Sequence, residues 1–191
     1  MLHAILWQAN QDLTRACLHH PFVQGLAAGA LPPCLFDAYV AQDVFFLQAF
    51  IQAYALALAR SSDIDDFLDL LNGAVAERRL HAAVPLEPVA PNPACRAYTD
   101  FLLHTAWHRG LPEILAAMTP CMRLYAWLGG SLAPGRGPYQ HWIDTYASPD
   151  FHGLAARIES LLDRHASDTP PVREHYRCAM QCELDFFQAC L

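Results

Sequence analysis

The sequence predicts an all-α fold, a single-domain bundle of about seven helices that takes up residues 1–191. Apolar residues recur with a helical period along almost the whole chain, and prolines and glycines stand where such periodic segments begin and end. Runs of β-branched residues with a period of two, joined by hairpin turns, are missing. A chain of 191 residues also suits one domain, because single cores stop growing only beyond roughly 250 residues.

The first three predicted helices lie in the N-terminal half of the chain. The first covers 2–17 and is broken by the His-His-Pro-Phe segment at 19–22, because residues before proline avoid helical dihedral angles. Two prolines are tolerated in the first turn of the second helix, and its apolar pattern continues over 34–59. The Ser-Ser-Asp segment at 61–63 is expected to cap the third helix, which keeps its period over 64–80.

The remaining helices are separated by proline-rich and glycine-rich segments. Loops are predicted at 85–93 and 133–138, and Gly110 and the Gly-Gly pair at 129–130 are expected to end helices. Ser148 should cap a helix whose first turn contains a proline. The corresponding helices are predicted at 94–108, 112–128, 139–146, 149–165 and from 169 to the C-terminus.

The composition limits the possible partners. Hydrophobic residues make up 54% of the chain and charged residues 16%, whereas an ordinary soluble domain has about a quarter charged residues. This apolar excess predicts a large internal cavity or subunit interfaces, and we expect a homo-oligomer, a tetramer or a dimer. The formal charge of −7 argues against a nucleic-acid partner, which would require a basic stripe.

Cysteine usage and the N-terminal sequence predict a cytoplasmic protein. The seven cysteines are an odd number without the spacing of a disulfide framework, and the N-terminus lacks the features of a signal peptide. The longest apolar stretch, 44–59, is too short for a membrane span and is interrupted by Gln48 and Gln52. We therefore expect a buried core helix there and no membrane contact.

A cysteine within apolar helical sequence is the first candidate for chemistry. Cys121 and Tyr125 are four residues apart, so a helical period of 3.6 residues places the thiol and the phenol on one face. Pro120 cannot donate to the carbonyl of Ala116 and should bend the helix, which leaves backbone polarity near the thiol. A reactive pocket is one interpretation. The other is core packing, since free cysteine is among the most buried residue types.

Two acidic residues also lie in apolar helical sequence. Asp43 stands in the middle of the second predicted helix, and Glu183 in the last helix is followed by Phe186 and Phe187. A shared pocket would raise their pKa values by desolvation, which suits a general acid or base near neutral pH. Each carboxyl group could instead bond to a neighbouring helix as a structural group. No His shares the helical turn of Cys121, so a carboxylate from another helix could serve as its base.

A metal site is not expected. Several pairs of potential ligands are one helical turn apart, but this spacing is weakly specific, and the sequence contains no Glu-x-x-His motif of a di-iron site and no glycine-rich phosphate loop. We therefore predict no metal and no cofactor. The pairs in question are His104 with His108, Glu77 with His81, and Cys178 with Cys182.

Several segments together resemble one family. They occur in family order across almost the whole chain, at 20–32, 36–43, 97–99, 113–125 and 139–146, followed by Glu183 near the end. The Gln-Asp pair at 42–43, the Pro-Cys pair at 120–121 and Glu183 are the most specific of them. The sequence resembles the TenA family, the thiaminase II or aminopyrimidine aminohydrolase group of the heme-oxygenase-like helical fold.

The resemblance implies a site for a 4-amino-2-methylpyrimidine. Asp43 would bind its exocyclic amine and a ring nitrogen, Cys121 would attack the electron-poor ring, and Glu183 would manage protons at the leaving group. Phe46 departs from the family, which often has a tyrosine at this position near the catalytic cysteine. The other residues expected to line the pocket are Tyr98, Tyr125, Tyr146 and Phe187.

The function implied is hydrolysis of 4-amino-5-aminomethyl-2-methylpyrimidine, a thiamin breakdown product, to hydroxymethylpyrimidine and ammonia. Cleavage of thiamin would be a slower related activity, and the small-molecule substrate would be the main partner. One alternative is a protein of the same fold that binds a pyrimidine or another flat heterocycle without turnover. Another is an oxidase that resembles the pyrroloquinoline-quinone synthase group, although such relatives do not share the Pro-Cys segment.

Overall fold

The computed structural model of the chain describes residues 1–84, 89–134 and 137–191, and these residues form ten α-helices, one 3₁₀ turn and no strand. This confirms the all-α prediction, with ten helices in the described residues instead of about seven. The predicted loops at 85–93 and 133–138 lie partly outside the described residues. The helices are α1 (Leu2–Ala9), α2 (Gln11–Leu18), α3 (Pro21–Ala28), α4 (Pro33–Leu58), α5 (Ile64–Ala82), α6 (Pro93–His108), α7 (Leu111–Leu132), α8 (Gln140–Ala147), α9 (Pro149–His165) and α10 (Pro170–Gln188).

The N-terminal segment differs from the prediction of one helix followed by a break. Asn10 has non-helical dihedral angles and separates α1 from α2, and its side-chain amide donates to the Leu6 carbonyl at 2.8 Å. Instead of a simple break at 19–22, His20 caps the additional helix α3, because its Nδ1 accepts from the backbone N–H of Phe22. Gly29, with a φ of 65°, ends α3 in the left-handed conformation that glycine adopts without strain.

The start of α5 also differs from the prediction. Asp63 is its N-cap residue, yet no side chain of the expected 61–63 cap accepts a capping hydrogen bond there. The Asp63 carboxylate instead binds His165 and Arg164 at the end of α9. The predicted capping role was therefore wrong, because a long-range ion pair uses the carboxylate and ties α5 to α9.

The central helix α7 runs past the predicted end at the Gly-Gly pair. It continues to Leu132, and a Cβ atom placed on Gly129 would lie 2.4 Å from the Tyr146 carbonyl carbon and 2.5 Å from the Ala147 nitrogen. Gly129 is therefore needed for the close approach of α8 and does not terminate the helix. The helix also continues through Pro120, which leaves the Ala116 carbonyl without its usual intrahelical donor.

One apolar core joins all ten described helices. Within it, α7 packs against α6, α8, α9 and α10, and α4 packs against α5, α6 and α7. By length and composition α4 is the one helix of the described residues that could cross a membrane, and 44% of its most apolar window is buried inside the fold. The apolar stretch 44–59 was expected to be too short for a membrane span, but the helix that contains it is longer. The core helix of a soluble protein passes the same test of length and composition.

We expect Gly129→Ala to lower the free energy of unfolding by about 1–3 kcal/mol, because the new methyl group meets backbone atoms that cannot move aside. Gly153→Ala in α9 is the matched control. A Cβ atom there meets nothing within 4 Å, so alanine should raise the stability by up to about 1 kcal/mol. Urea unfolding of the variants and the wild type measures both effects. A Gly129→Ala protein as stable as the wild type would contradict the packing argument.

Candidate functional site

A cavity of about 420 Å³ lies between α4, α5, α7, α8 and α9. Most of its wall is apolar or aromatic, which is typical of a pocket for a small molecule. A few polar groups interrupt this wall and can orient a ligand. These polar groups include Asp43, Glu77, His81, Cys121, Tyr125 and Tyr146.

One group of these side chains joins α4 and α5. His81 Nδ1 lies 2.8 Å from Asp43 Oδ2, an ion-pair distance without the alignment of a good hydrogen bond. Asp43 is only 5% exposed, so its negative charge needs such a partner. Burial would lower the pKa of His81, but the contact with Asp43 and its charge outweigh burial and raise it. The pair is therefore stabilised in the form in which the imidazole is charged.

Glu77 lies beside this pair and is held by α8. The Tyr146 hydroxyl donates to Glu77 Oε1 at 2.5 Å. Burial and the neighbouring charge of Asp43 raise the pKa of Glu77 to about 7, although the bond from Tyr146 and the charge of His81 act in the opposite direction. Glu77 can therefore take up or release a proton near neutral pH.

Cys121 meets a second carboxyl group on the side of α10. Glu183 is 2% exposed, and the Tyr98 hydroxyl of α6 donates to its Oε1 at 2.6 Å. Burial and then the charge of Asp43 raise the pKa of Glu183 to about 8, against the hydrogen bonds from Tyr98 and Cys121, which lower it. Burial, followed by the charges of Glu183 and Glu77, raises the pKa of the Cys121 thiol well above its usual value. The thiol and a carboxyl group that titrates near neutral pH are thus in direct contact.

Aromatic rings form the wall around the end of α8. Tyr125 and Tyr146 meet edge to face at a centroid distance of 4.8 Å, and Trp142 lies 4.7 Å from Tyr146. The Tyr39 hydroxyl donates to the Tyr125 hydroxyl at 3.1 Å and accepts from Trp142 Nε1 at 3.4 Å. These bonds fix the rings, so the cavity offers rigid aromatic edges and faces to a flat ligand.

The structure brings most of the predicted site residues to this cavity. Five of the predicted residues line the cavity: Asp43, Phe46, Cys121, Tyr125 and Tyr146. Glu183 is not a lining residue, but it contacts the Cys121 thiol from behind the wall. The functional roles assigned to all of these residues remain predictions.

Two residues predicted to line the pocket lie behind its wall. Tyr98 is 1% exposed, and its hydroxyl is occupied by Glu183. Phe187 is fully buried, stacks on Phe22 at 5.7 Å and supports the Tyr125 ring at 6.0 Å. The structure thus places Phe187 behind the wall, where it packs on Phe22 of α3, a helix that was not predicted from the sequence.

Three further residues at the cavity were not predicted as site residues from the sequence: Glu77, His81 and Trp142. The only signal was the spacing of Glu77 and His81 by one helical turn, and their partner Asp43 belongs to another helix. Asp43, Glu77 and His81 offer ligand atoms within 4.8 Å of one another, a spacing that a cation could use. Since Asp43 is paired with His81 and Glu77 with Tyr146, the arrangement does not require a cation, and we assign none.

Comparisons with known proteins show which family the chain belongs to. Residues 7–191 match the family model described as TENA/THI-4/PQQC family. The chain is 36% identical over 217 residues to the "Bifunctional TH2 protein, mitochondrial" of Arabidopsis thaliana, a match that covers 92% of this chain and 35% of that protein. It is 31% identical over 181 residues to the "Aminopyrimidine aminohydrolase" of Halalkalibacterium halodurans, covering 85% of this chain and 81% of that protein.

A solved structure extends the likeness to the whole fold. It is described as a TenA family transcription regulator from Silicibacter sp. TM1040, with a TM-score of 0.90 and 29% identity, and the match covers 98% of this chain and 95% of that chain. The chain therefore spans about a third of the plant protein, but nearly all of this bacterial structure.

We expect the stability to fall as the pH rises from about 4.5 to 8, in part because of Glu183. Its pKa rises from 4.5 to about 8 on folding, so within this window the native state binds more protons than the unfolded state. Glu183→Gln removes this proton and keeps an oxygen that accepts from Tyr98, so the decline should become shallower by up to about 1.4 kcal/mol per pH unit.

Urea unfolding at several pH values measures this difference. Glu174→Gln is the matched control, because Glu174 is exposed on the same helix. Identical pH dependences for the wild type and Glu183→Gln would show that Glu183 titrates normally in the folded protein.

Proposed function

Because the chain belongs to the TENA/THI-4/PQQC family, we propose that it is a hydrolase of thiamin salvage that uses Cys121 as its nucleophile. The substrate would be 4-amino-5-aminomethyl-2-methylpyrimidine, and the products hydroxymethylpyrimidine and ammonia. Thiamin would be cleaved more slowly. The observation that carries the proposal is that Cys121 lines the cavity together with Asp43, while Glu183 lies near its thiol and raises the pKa of that thiol.

Substrate binding follows from the acidic and aromatic groups of the wall. The Asp43 carboxylate can accept from the exocyclic amine of the pyrimidine, while His81 balances its negative charge. The flat ring would pack among the fixed rings of Tyr125, Tyr146 and Phe46. Phe46 replaces a tyrosine that the family often has, so this ring contributes packing and no hydroxyl.

The chemical step uses the contact between Cys121 and Glu183. The thiol gives its proton to the Glu183 carboxylate, and the sulfur forms a bond to the electron-poor ring carbon. The electrons of the ring then expel the amine from the exocyclic carbon, and Glu183 returns the proton to the departing ammonia. Water adds to the exocyclic carbon and gives one proton to Glu183. The sulfur then leaves as a thiolate, which restores the aromatic ring, and Glu183 passes that proton to the thiolate to regenerate the free cysteine.

The pKa values of Glu183 and Cys121 support these proton transfers. A general acid or base works best when its pKa lies near the operating pH, and burial places the pKa of Glu183 at about 8. The raised pKa of the thiol means that Cys121 is protonated at rest. Its proton must therefore be removed during attack, and Glu183 is the carboxyl group in contact with it.

We also propose that the chain forms a homo-oligomer and acts in the cytoplasm. Large apolar side chains exposed on the single chain, such as Met1, Leu80 and Trp107, support assembly into a homo-oligomer. A location in the cytoplasm remains a prediction from the cysteine usage and the N-terminal sequence.

We expect the wild type to release hydroxymethylpyrimidine from the aminomethyl-pyrimidine, and more slowly from thiamin. Cys121→Ser should reduce both rates by at least about 10³-fold, because the hydroxyl is a far weaker nucleophile in the same position. Mass spectrometry of the products measures this. Cys34→Ser is the control, since Cys34 is exposed and should not affect turnover.

Two outcomes would reject cysteine catalysis. Folded wild-type protein that releases neither product would reject the hydrolase, and if it still binds the pyrimidine with an affinity that Cys121→Ala leaves intact, the chain is a binding protein. A fully active Cys121→Ser variant would reject the role of the sulfur.

Asp43→Asn should weaken binding of the aminomethyl-pyrimidine by about 10-fold to 100-fold, because it removes a charged hydrogen-bond acceptor. Calorimetric titration in the Cys121→Ser background separates binding from turnover. Asp37→Asn, on the exposed side of α4, is the control and should bind as before. Equal affinities for the two variants would show that Asp43 does not contact the ligand.

A further inference from the structure

Glu77 is a carboxyl group on the cavity wall that the proposed chemical steps do not use. It keeps some accessible surface and lines the cavity together with Asp43 and Cys121. Its Oε1 accepts from the Tyr146 hydroxyl at 2.5 Å. Among residues 1–84, 89–134 and 137–191 no group donates to its Oε2, and this oxygen is not one of the fully enclosed unpaired atoms. Oε2 can therefore accept a hydrogen bond from a ligand in the cavity.

Glu77 and Asp43 are neighbours on the wall, although they belong to α5 and α4. Together with His81 they offer polar atoms that all lie within 4.8 Å of one another. His81 contacts Asp43, with its Nδ1 at 2.8 Å from Oδ2. The wall thus presents two adjacent carboxyl groups. Asp43 has a positively charged partner in contact, whereas the contact that Glu77 receives comes from the neutral hydroxyl of Tyr146.

A negative charge on Glu77 is costly without a positive partner. Burial and the charge of Asp43 raise the pKa of Glu77 to about 7, so a proton can neutralise it when no ligand is bound. A positively charged group in the cavity could take the place of that proton, because it would supply the counter-charge that a buried carboxylate needs. The third carboxyl group of the lining, Asp150, is exposed and has water for this purpose.

The proposed substrate carries two nitrogen groups that match the two carboxyl groups. Its amino group and its aminomethyl group are attached to neighbouring carbons of the pyrimidine ring, so their nitrogens lie side by side at one edge of the ring. When the amino group binds Asp43, the aminomethyl nitrogen therefore lies next to the adjacent carboxyl group, Glu77. A primary aliphatic amine is protonated at neutral pH, as the lysine side chain is, so this nitrogen carries a positive charge.

We propose that Glu77 Oε2 binds the positively charged aminomethyl group of the substrate, and that Glu77 thereby selects pyrimidines with a cationic leaving group. Hydroxymethylpyrimidine, the proposed product, has a neutral hydroxyl in the same place, so it binds less tightly and is released. Thiamin has a positively charged ring nitrogen on the same carbon, so it gains the charge attraction but has no N–H to donate. The identity of the ligand rests on the proposed function, whereas the preference for an amine is measured without turnover.

Calorimetric titration of the Cys121→Ser protein with the aminomethyl-pyrimidine and with hydroxymethylpyrimidine tests the preference. The two ligands differ by an amine and a hydroxyl of similar size. The amine should bind about 10-fold to 100-fold more tightly, because a charge-assisted hydrogen bond is stronger than a neutral one. Equal affinities would overturn the proposal, and so would a protein that binds neither ligand.

Glu77→Gln in the same background shows whether Glu77 causes the preference. The glutamine amide oxygen can still accept from Tyr146, so the fold should be kept, and urea unfolding checks this. The affinity for the aminomethyl-pyrimidine should fall about 10-fold to 100-fold, and that for hydroxymethylpyrimidine by less than about threefold. An equal loss for both ligands would show that Glu77 only maintains the shape of the cavity, and it would overturn the proposal.

Asp150→Asn is the matched control, because Asp150 also lines the cavity but is exposed to water, which screens its charge. This variant should keep the preference for the amine. If it loses the preference as Glu77→Gln does, the overall negative charge of the cavity selects the amine, and the role of Glu77 is refuted. If the wild type shows no turnover, the proposed function fails, while the affinities still decide whether Glu77 binds the amine.

Discussion

The contact between the Cys121 thiol and the buried carboxyl group of Glu183 is the interaction on which the rest of the site depends. A carboxyl group that is 2% exposed is expensive to desolvate, and this one is stabilised by the hydrogen bond from the Tyr98 hydroxyl. These three residues belong to α10, α6 and α7, so the contact exists only when the three helices are packed together. Burial, which makes the arrangement costly, also moves the pKa of Glu183 into the range useful for proton transfer.

The second polar cluster balances the charge of the cavity. Asp43 is paired with His81, and Glu77 accepts a hydrogen bond from Tyr146, so partners hold both carboxyl groups in position on the wall. Asp43 raises the pKa of both Glu77 and Glu183. The charge of Asp43 therefore makes both of these carboxyl groups easier to protonate.

Close helix packing connects the fold to the site. Gly129 allows the end of α8 to approach α7 within a distance that any side chain would prevent. This approach places Tyr146 where its hydroxyl reaches Glu77 and its ring meets Tyr125. A glycine that resembles a helix terminator in the sequence therefore helps to determine the position of a cavity residue.

The sequence by itself determined the local features: the helical class, most helix starts and ends, and the presence of Cys121, Asp43 and Glu183 in apolar helical surroundings. These depend on periodicity, on proline and glycine conformations and on capping, all of which act over a few residues. Only the tertiary structure decided that α7 passes Gly129, that Phe187 packs behind the wall, and that Glu77 and His81 join Asp43. Each of these depends on which distant segment packs against the residue, and a contact between segments far apart in the chain leaves no local pattern from which to predict it.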